Sequence, residues 1–272
     1  MIEYIKEDIA YFDLTTSLQD SGKKEARLEL FCRTWMVMSG AEFLSQIVQN
    51  LNCECEFVAK DGSVYKDGDK LLSVKGSYNS IHKVWKLAQN LVEYMSAIAT
   101  YTHKMVKVAK SVNPNCQILG TRKTFPFAKK ICIKALLDGG GFVHRLNLSD
   151  SILFFGNHRI LYPNNSEFYS FLKSAKLKVP EKKIAVEAID FSDAIELLGL
   201  VDVVQLDKMS LEESVKVLEY RAKFEPRVAV VLAGGINLEN IASYASLGAD
   251  AVVTSAMYYH VKGDIKAKVS LI

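Results

Sequence analysis

Positive charge falls in two short segments near the middle of the chain. One is Gly120-Thr121-Arg122-Lys123-Thr124; the other is His144-Arg145, just after three glycines at 139–141. Two acids stand apart from them: Glu187, inside the apolar run 184–189, and Asp207, at the end of Val203-Val204-Gln205-Leu206. Ala233-Gly234-Gly235 and Thr254-Ser255 close two further apolar runs. Cations clamp anionic ligands. Carboxylates hold Mg²⁺ or sugar hydroxyls, and glycine turns let backbone N–H groups approach a phosphate. In combination these residue types describe a site for a phosphorylated ligand with a divalent metal. Each also has a plainer reading. Glu187 suits a structural ion pair, His144-Arg145 a solvated loop, and the glycines tight turns with positive φ. Asp207 suits a helix cap, although Ser210 is better placed to cap a helix starting at Leu211.

These residues fall in a regular frame. Strand-like runs occur at 117–119, 152–155, 183–189, 201–206, 227–232 and 249–254, with helical stretches at 125–137, 167–176, 193–198, 211–223 and 238–246. Such alternation implies a parallel sheet with crossover helices. No G-x-G-x-x-G follows the first strand, so a dinucleotide-binding fold loses support. The expectation is an incomplete parallel β/α barrel over residues 103–272. In a barrel, chemistry gathers where strands end, and Asn157-His158 follows the run 152–155 in the same way. Phosphate sites use the loops after the last two strands, here Gly234, Gly235 and Ser255, beside a helix expected to be capped by Asn237.

Residues 1–102 read as an α+β domain. Ser39-Gly40-Ala41-Glu42 has the form of a capping box, and Phe43, Leu44, Ile47, Val48 and Leu51 repeat at helical spacing. Asp61-Gly62 and Asp67-Gly68 punctuate short strands, and a long helical stripe connects the domains over residues 83–110. Met36, Met38, Met95 and Met105 read as core filler, and His82, His103 and His260 as packing or surface residues.

Bulk properties narrow the function further. The 272 residues carry a net charge of +3, with 34 basic and 31 acidic side chains spread along the chain, so nucleic acid is not the expected partner. No apolar run approaches the roughly 18 residues that span a bilayer. MIEYIKEDIAYFD lacks a secretion signal, which points to the cytoplasm. The five scattered cysteines suit reduced thiols, with Cys53 and Cys55 expected as buried strand residues.

Taken in order, residues 120–124, the glycines with His144-Arg145, Asn157-His158, Glu187, Asp207 and Gly234-Gly235 resemble the nicotinate-nucleotide pyrophosphorylase family, also called quinolinate phosphoribosyltransferases. EDIAYFDLTT (7–16) and NLVEYMSAIAT (90–100) extend the resemblance over nearly the whole chain. TRKTFPFAKK and HRLNLSDSILFFGNH are closer to a sister group, the ModD pyrophosphorylases associated with molybdenum transport. The resemblance implies an α/β sandwich domain followed by the incomplete barrel, with the C-terminal tail packing back on the first domain. It implies a homodimer in which the N-terminal domain of one subunit covers the barrel mouth of the other. It also implies use of 5-phosphoribosyl diphosphate (PRPP) with Mg²⁺. The parent reaction joins quinolinate to the ribosyl group, releases pyrophosphate and decarboxylates the product.

The family's roles carry over as follows. Lys123 would contact the donor, Glu187 and Asp207 the ribose hydroxyls and metal, and Gly234, Gly235 and Ser255 the 5′-phosphate. Arg122, His144, Arg145 and His158, with Lys86 from the partner subunit, would face the acceptor. Phe155 stands where the family has a lysine, Lys86 where it has an arginine, Ala233 for a serine and Ser255 for a glycine. The donor half thus reads as kept and the acceptor half as remodelled. Loss of charge-assisted contacts would weaken a doubly charged acceptor by about one to two orders of magnitude, so a less acidic or larger, flatter acceptor is expected. The alternatives are a true carboxylating enzyme of NAD biosynthesis and a non-catalytic nucleotide or oxyanion binder linked to molybdenum transport.

Overall fold

Alternate residues of Glu25–Cys32 (β1) are buried: Ala26, Leu28, Leu30 and Cys32. That period of two is the mark of a sheet with one face on a core and one in water. In the computed structural model, which describes residues 1–259 and 263–272, β1 is central to such a sheet. His260 lies outside the described residues. The chain divides into two compact units. One comprises Met1–His103, Phe125–Gly140 and Met257–Ile272; the other comprises Lys104–Thr124 and Gly141–Ala256.

In the first unit, β1 lies between β5 (Lys70–Ser77) and the C-terminal strand β13 (Ile265–Leu271), with β3 (Glu54–Val58) on the far side of β5, all antiparallel. Met36–Val37 (β2) and Val64–Tyr65 (β4) form a short ribbon. Ahead of β1 come α1 (Ile2–Asp8) and α2 (Leu14–Ser17). The apolar stripes of α3 (Ala41–Asn50) and of the long α4 (Tyr78–Val112), whose last turns belong to the second unit, are buried; Met36, Met38 and Met95 are inside here and Met105 is buried in the second unit.

Two expectations for this unit are corrected. Gly40, at φ +117°, is the residue before α3, and Ser39 caps nothing. The Ser39 hydroxyl donates instead to Asp138 Oδ2 at 2.6 Å, and the helix-start N–H of Ala41 goes to Asp61 Oδ1 at 3.0 Å. A carboxylate distant in sequence has displaced the local hydroxyl, held there by Lys134, whose Nζ binds both Asp61 and Asp138. Cys53 is half-buried and Cys55 exposed, because β3 is an edge strand with little cover on either face; all five thiols are free.

The second unit is the incomplete parallel barrel. Its strands are β6 (Gln117–Gly120), β7 (Phe142–Val143), β8 (Ile152–Phe154), β9 (Ile184–Ala188), β10 (Val203–Asp207), β11 (Ala229–Ala233) and β12 (Ala251–Thr254). They pair in the order β7-β6-β12-β11-β10-β9-β8, every pair parallel. Crossover helices α7 (Asn165–Lys178), α8 (Phe191–Leu198) and α9 (Leu211–Phe224) start on Asn164, Asp190 and Ser210, whose side chains each accept a first-turn N–H. β7 and β8 share no hydrogen bonds. The Arg145 guanidinium beyond β7 nevertheless lies 5.9 Å from the ring of Phe155 beyond β8, so the sheet curls until its two edges face each other.

Two helices are shorter than the sequence suggests. α5 (Lys129–Asp138) begins late because Pro126 and Phe127, the latter at φ +64°, form a turn before it. α10 (Ile241–Ala245) has only five residues. Asn237 does act as a cap, its Oδ1 accepting the N–H groups of Glu239 and Asn240, but it caps a turn ahead of α10. That turn runs into α10, since the Asn237 carbonyl accepts the Ile241 N–H, and the distinctive feature of the loop is the glycine turn before it. Inside the barrel Val231, Ala233, Ala251 and Val253 form an apolar cluster, joined by Leu119 and Val203. By strand alternation, Gln205 and Asp207 share the inner face with Val203.

Candidate active site

The two cationic segments leave neighbouring strands. Thr121 N–H bonds to Thr254 O, Thr121 Oγ1 accepts Lys123 N–H, and His144 N–H bonds to Gly120 O, which fixes both loops at the ends of β6 and β7. Arg145 is only 8% exposed and its Nε has no acceptor. Burial first, and then the like charge of Arg122, hold its guanidinium below its ordinary pKa, with Asp150 opposing. A buried cation without full compensation is a site that favours an anion. His144 is different: burial, and then Arg145, push it below the usual imidazole value, so it is neutral at neutral pH and does not add to the positive charge. The expected cluster of four cations is thus three.

Phe155 supplies a flat apolar surface beside Arg145. Its ring stacks on His158 at 5.6 Å between centroids and 22° between planes, and its N–H donates to His158 Nδ1 at 3.0 Å. With Nδ1 accepting, the ring presents Nε2 as its donor.

The acids come from the middle strands. Glu187 on β9 pairs in register with Gln205 on β10, and Gln205 Nε2 donates to Glu187 Oε2 at 2.8 Å. Burial, then the charge of Asp207, raise the Glu187 pKa above the ordinary glutamate value; Gln205, Lys123 and Lys208 oppose. Glu187, Asp207 and Lys123 are therefore one electrostatic group.

The glycine turn adjoins it. Gly234 and Gly235 follow β11 at φ +96° and +70°, and Ser255 follows the adjacent β12. A Cβ on Gly234 would lie 2.5 Å from Lys208 Cγ and 2.9 Å from Asp207 Oδ1; one on Gly235 would meet nothing within 4 Å. Gly234 is thus needed for packing against Asp207 and Lys208, whereas the Cβ side of Gly235 is open. Gly234→Ala is expected to destabilise by about 3 kcal/mol, combining a forbidden φ with overpacking, and Gly235→Ala by about 1 kcal/mol. Urea denaturation of the two variants checks this order.

Lys86 is in the first unit. It is exposed on α4, with Nζ donating to Gln89 Oε1 at 3.2 Å and lying 5.0 Å from the centroid of the Trp85 ring. Within its own unit it is brought to none of the other site residues. Gln205 and Lys208 are the site residues that residue types alone did not single out. The signal for Gln205 is its parity with Asp207: a polar residue at an inward position of an otherwise apolar strand.

Residues 13–96 match the N-terminal domain and residues 98–267 the C-terminal domain of quinolinate phosphoribosyl transferase. The chain belongs to the quinolinate phosphoribosyl transferase family. It is 32% identical to a protein of Pasteurella multocida named as a pyrophosphorylase, ModD, over 97% of this chain and 94% of that one. A Methanocaldococcus jannaschii protein named as a carboxylating nicotinate-nucleotide pyrophosphorylase is 30% identical, over 94% and 90%. Among solved structures, NadC from Streptococcus pyogenes superposes with a TM-score of 0.90 at 25% identity, covering 99% of this chain and 96% of that one. The quinolinate phosphoribosyl transferase fold thus extends over both units. No helix among the described residues is long and apolar enough to cross a membrane.

Proposed function

We propose that this family member transfers the phosphoribosyl group of PRPP to a heteroaromatic acceptor and releases pyrophosphate. The observation that carries the reading is the pairing, at the strand ends of one curled sheet, of an undercompensated buried guanidinium, Arg145, with the carboxylate pair Glu187 and Asp207. The first favours an anion. The second favours sugar hydroxyls and a developing positive charge.

In this reading Gly234, Gly235 and Ser255 cradle the 5′-phosphate, and Lys123 contacts the donor. Glu187 and Asp207 bind ribose hydroxyls, and the Glu187 charge stabilises the oxocarbenium character that forms as pyrophosphate leaves. Arg122, Arg145, neutral His144 and His158 Nε2–H orient the acceptor on the Phe155 ring, and Lys86 reaches it from the partner in a homodimer. Glu187 and Asp207 also fit Mg²⁺. Their mutual charge stress is what a divalent ion relieves. No larger His, Cys, Asp or Glu group stands ready among the described residues, in keeping with an ion that takes one or two carboxylates plus substrate phosphates. When bound, such an ion neutralises the departing pyrophosphate.

Phe155 beside Arg145 favours an acceptor with a flat face and less negative charge than quinolinate. The sequence identity to the carboxylating M. jannaschii relative favours quinolinate itself as the second reading. Purified protein with PRPP, Mg²⁺ and a panel of heteroaromatic acids separates them. Pyrophosphate release with monoacids and poor turnover of quinolinate is expected. Efficient quinolinate use with CO₂ release establishes the second reading, and ligand uptake without pyrophosphate release from any acceptor establishes a non-catalytic binder.

A further inference from the structure

Gln205 is 4% exposed on the inner face of β10, which it shares with Val203 and the apolar cluster of Val231, Ala233, Ala251 and Val253. Its Nε2–H bonds to Glu187 Oε2 at 2.8 Å, while its Oε1 is buried without a partner. A buried amide carbonyl left unpaired is destabilising, and an aliphatic side chain of the same size would complete the apolar interior. The carbonyl half of the amide thus adds nothing to the fold; what the glutamine supplies is its hydrogen bond to Glu187.

The surroundings of Glu187 give that bond a role. Asp207, Lys123 and Lys208 all act on it through charge. A carboxylate free to rotate among two lysines and an acid would turn to a lysine and spend its charge in an ion pair. A neutral amide fixes one oxygen without discharging the group, so the full negative charge stays available in one orientation.

We propose that Gln205 is a positioning residue, whose amide clamps Oε2 of Glu187 and sets that carboxylate for the sugar of the bound donor. The proposal rests on the reading of this site as a PRPP site.

The test uses the full chain, with PRPP and Mg²⁺ as the calorimetric probe and thermal melts without ligand. Gln205→Met is expected to remain folded and to bind PRPP about tenfold more weakly, the loss of one hydrogen bond to a charged group. If Gln205 acts only through Glu187, the double variant E187Q/Q205M binds no more weakly than E187Q alone. Unchanged affinity in Q205M, failure of Q205M to fold, or additive losses in the double variant would each overturn the proposal while leaving the PRPP reading intact. Absence of PRPP binding by wild type would instead sink that reading, and this one with it.

Discussion

Glu187→Gln is expected to lose about a hundredfold or more in turnover and yet to fold more stably than wild type at neutral pH. The two effects have one cause. Glu187 is a partly buried acid whose ionised form is disfavoured by its burial and by Asp207, and only partly restored by Gln205, Lys123 and Lys208. Its folded pKa lies above the value in the unfolded chain. The sign follows from linkage: the contribution to stability is complete below the unfolded pKa and is lost as pH rises through the folded one. At pH 7 the wild-type chain therefore carries the whole penalty of this charge, and a neutral glutamine of the same shape carries none. Below about pH 4 both side chains are neutral and the two proteins should melt alike. In the proposed phosphoribosyl transfer the same charge serves the cationic transition state, so its removal is expected to relax the fold and disarm the site together. Melting curves from pH 4 to 8, with pyrophosphate release at pH 7, test both halves. A variant that melts lower than wild type at pH 7 would show that Glu187 is a structural anchor instead.

The parallel barrel was legible because its strands, one face buried and the other at least half-buried in most of them, read as short apolar runs. Against that background Glu187 and Asp207 stand out as charged residues in apolar strands. The β1–β13 pairing was not legible as an element. Its two strands lie at opposite ends of the chain, and β13 alternates Lys with small or apolar residues so weakly that only its partner defines it. Local signals failed where distant groups competed, as at Ser39, whose cap position lost to Asp61. Protonation was also out of reach: nothing in the letters His144-Arg145 says that partial burial and the neighbouring arginine's charge keep the histidine neutral. The partnership of Gln205 with Glu187 becomes visible only once the register of β9 on β10 is known.

Arg159 belongs to the same class of residues hidden in the sequence, and replacing it with methionine should be the most damaging single change to the barrel's stability. It ends the short helix α6 (Gly156–Arg159), which carries His158, and its guanidinium makes a bidentate pair with Asp193 at 2.6 and 2.8 Å. Asp193 is 2% exposed and also accepts the Tyr169 hydroxyl at 2.6 Å and the Ile189 N–H at 3.0 Å, two residues beyond Glu187. Burial alone would raise the Asp193 pKa, but the Arg159 and Tyr169 hydrogen bonds with that N–H bring it below the ordinary value, so it is ionised in the fold. Arg159→Met strands this carboxylate inside the protein. The expected loss is about 3–5 kcal/mol, or a melting temperature lower by about 10 °C. Because the folded pKa is depressed, the wild-type contribution is present above the unfolded carboxylate value and is lost as pH falls through the folded one, so the gap between the two proteins should narrow in acid. R159M/D193N should recover part of the loss, since what destabilises is the unpaired charge and not the absence of a pair. The strut also joins the loops after β8 and β9. Phe155 and His158 lie on the first of these and Glu187 just ahead of the second, so the rescued double variant should regain stability before it regains ligand affinity. Equal recovery of both would mean that the ion pair holds the fold alone and leaves the two loops to position themselves.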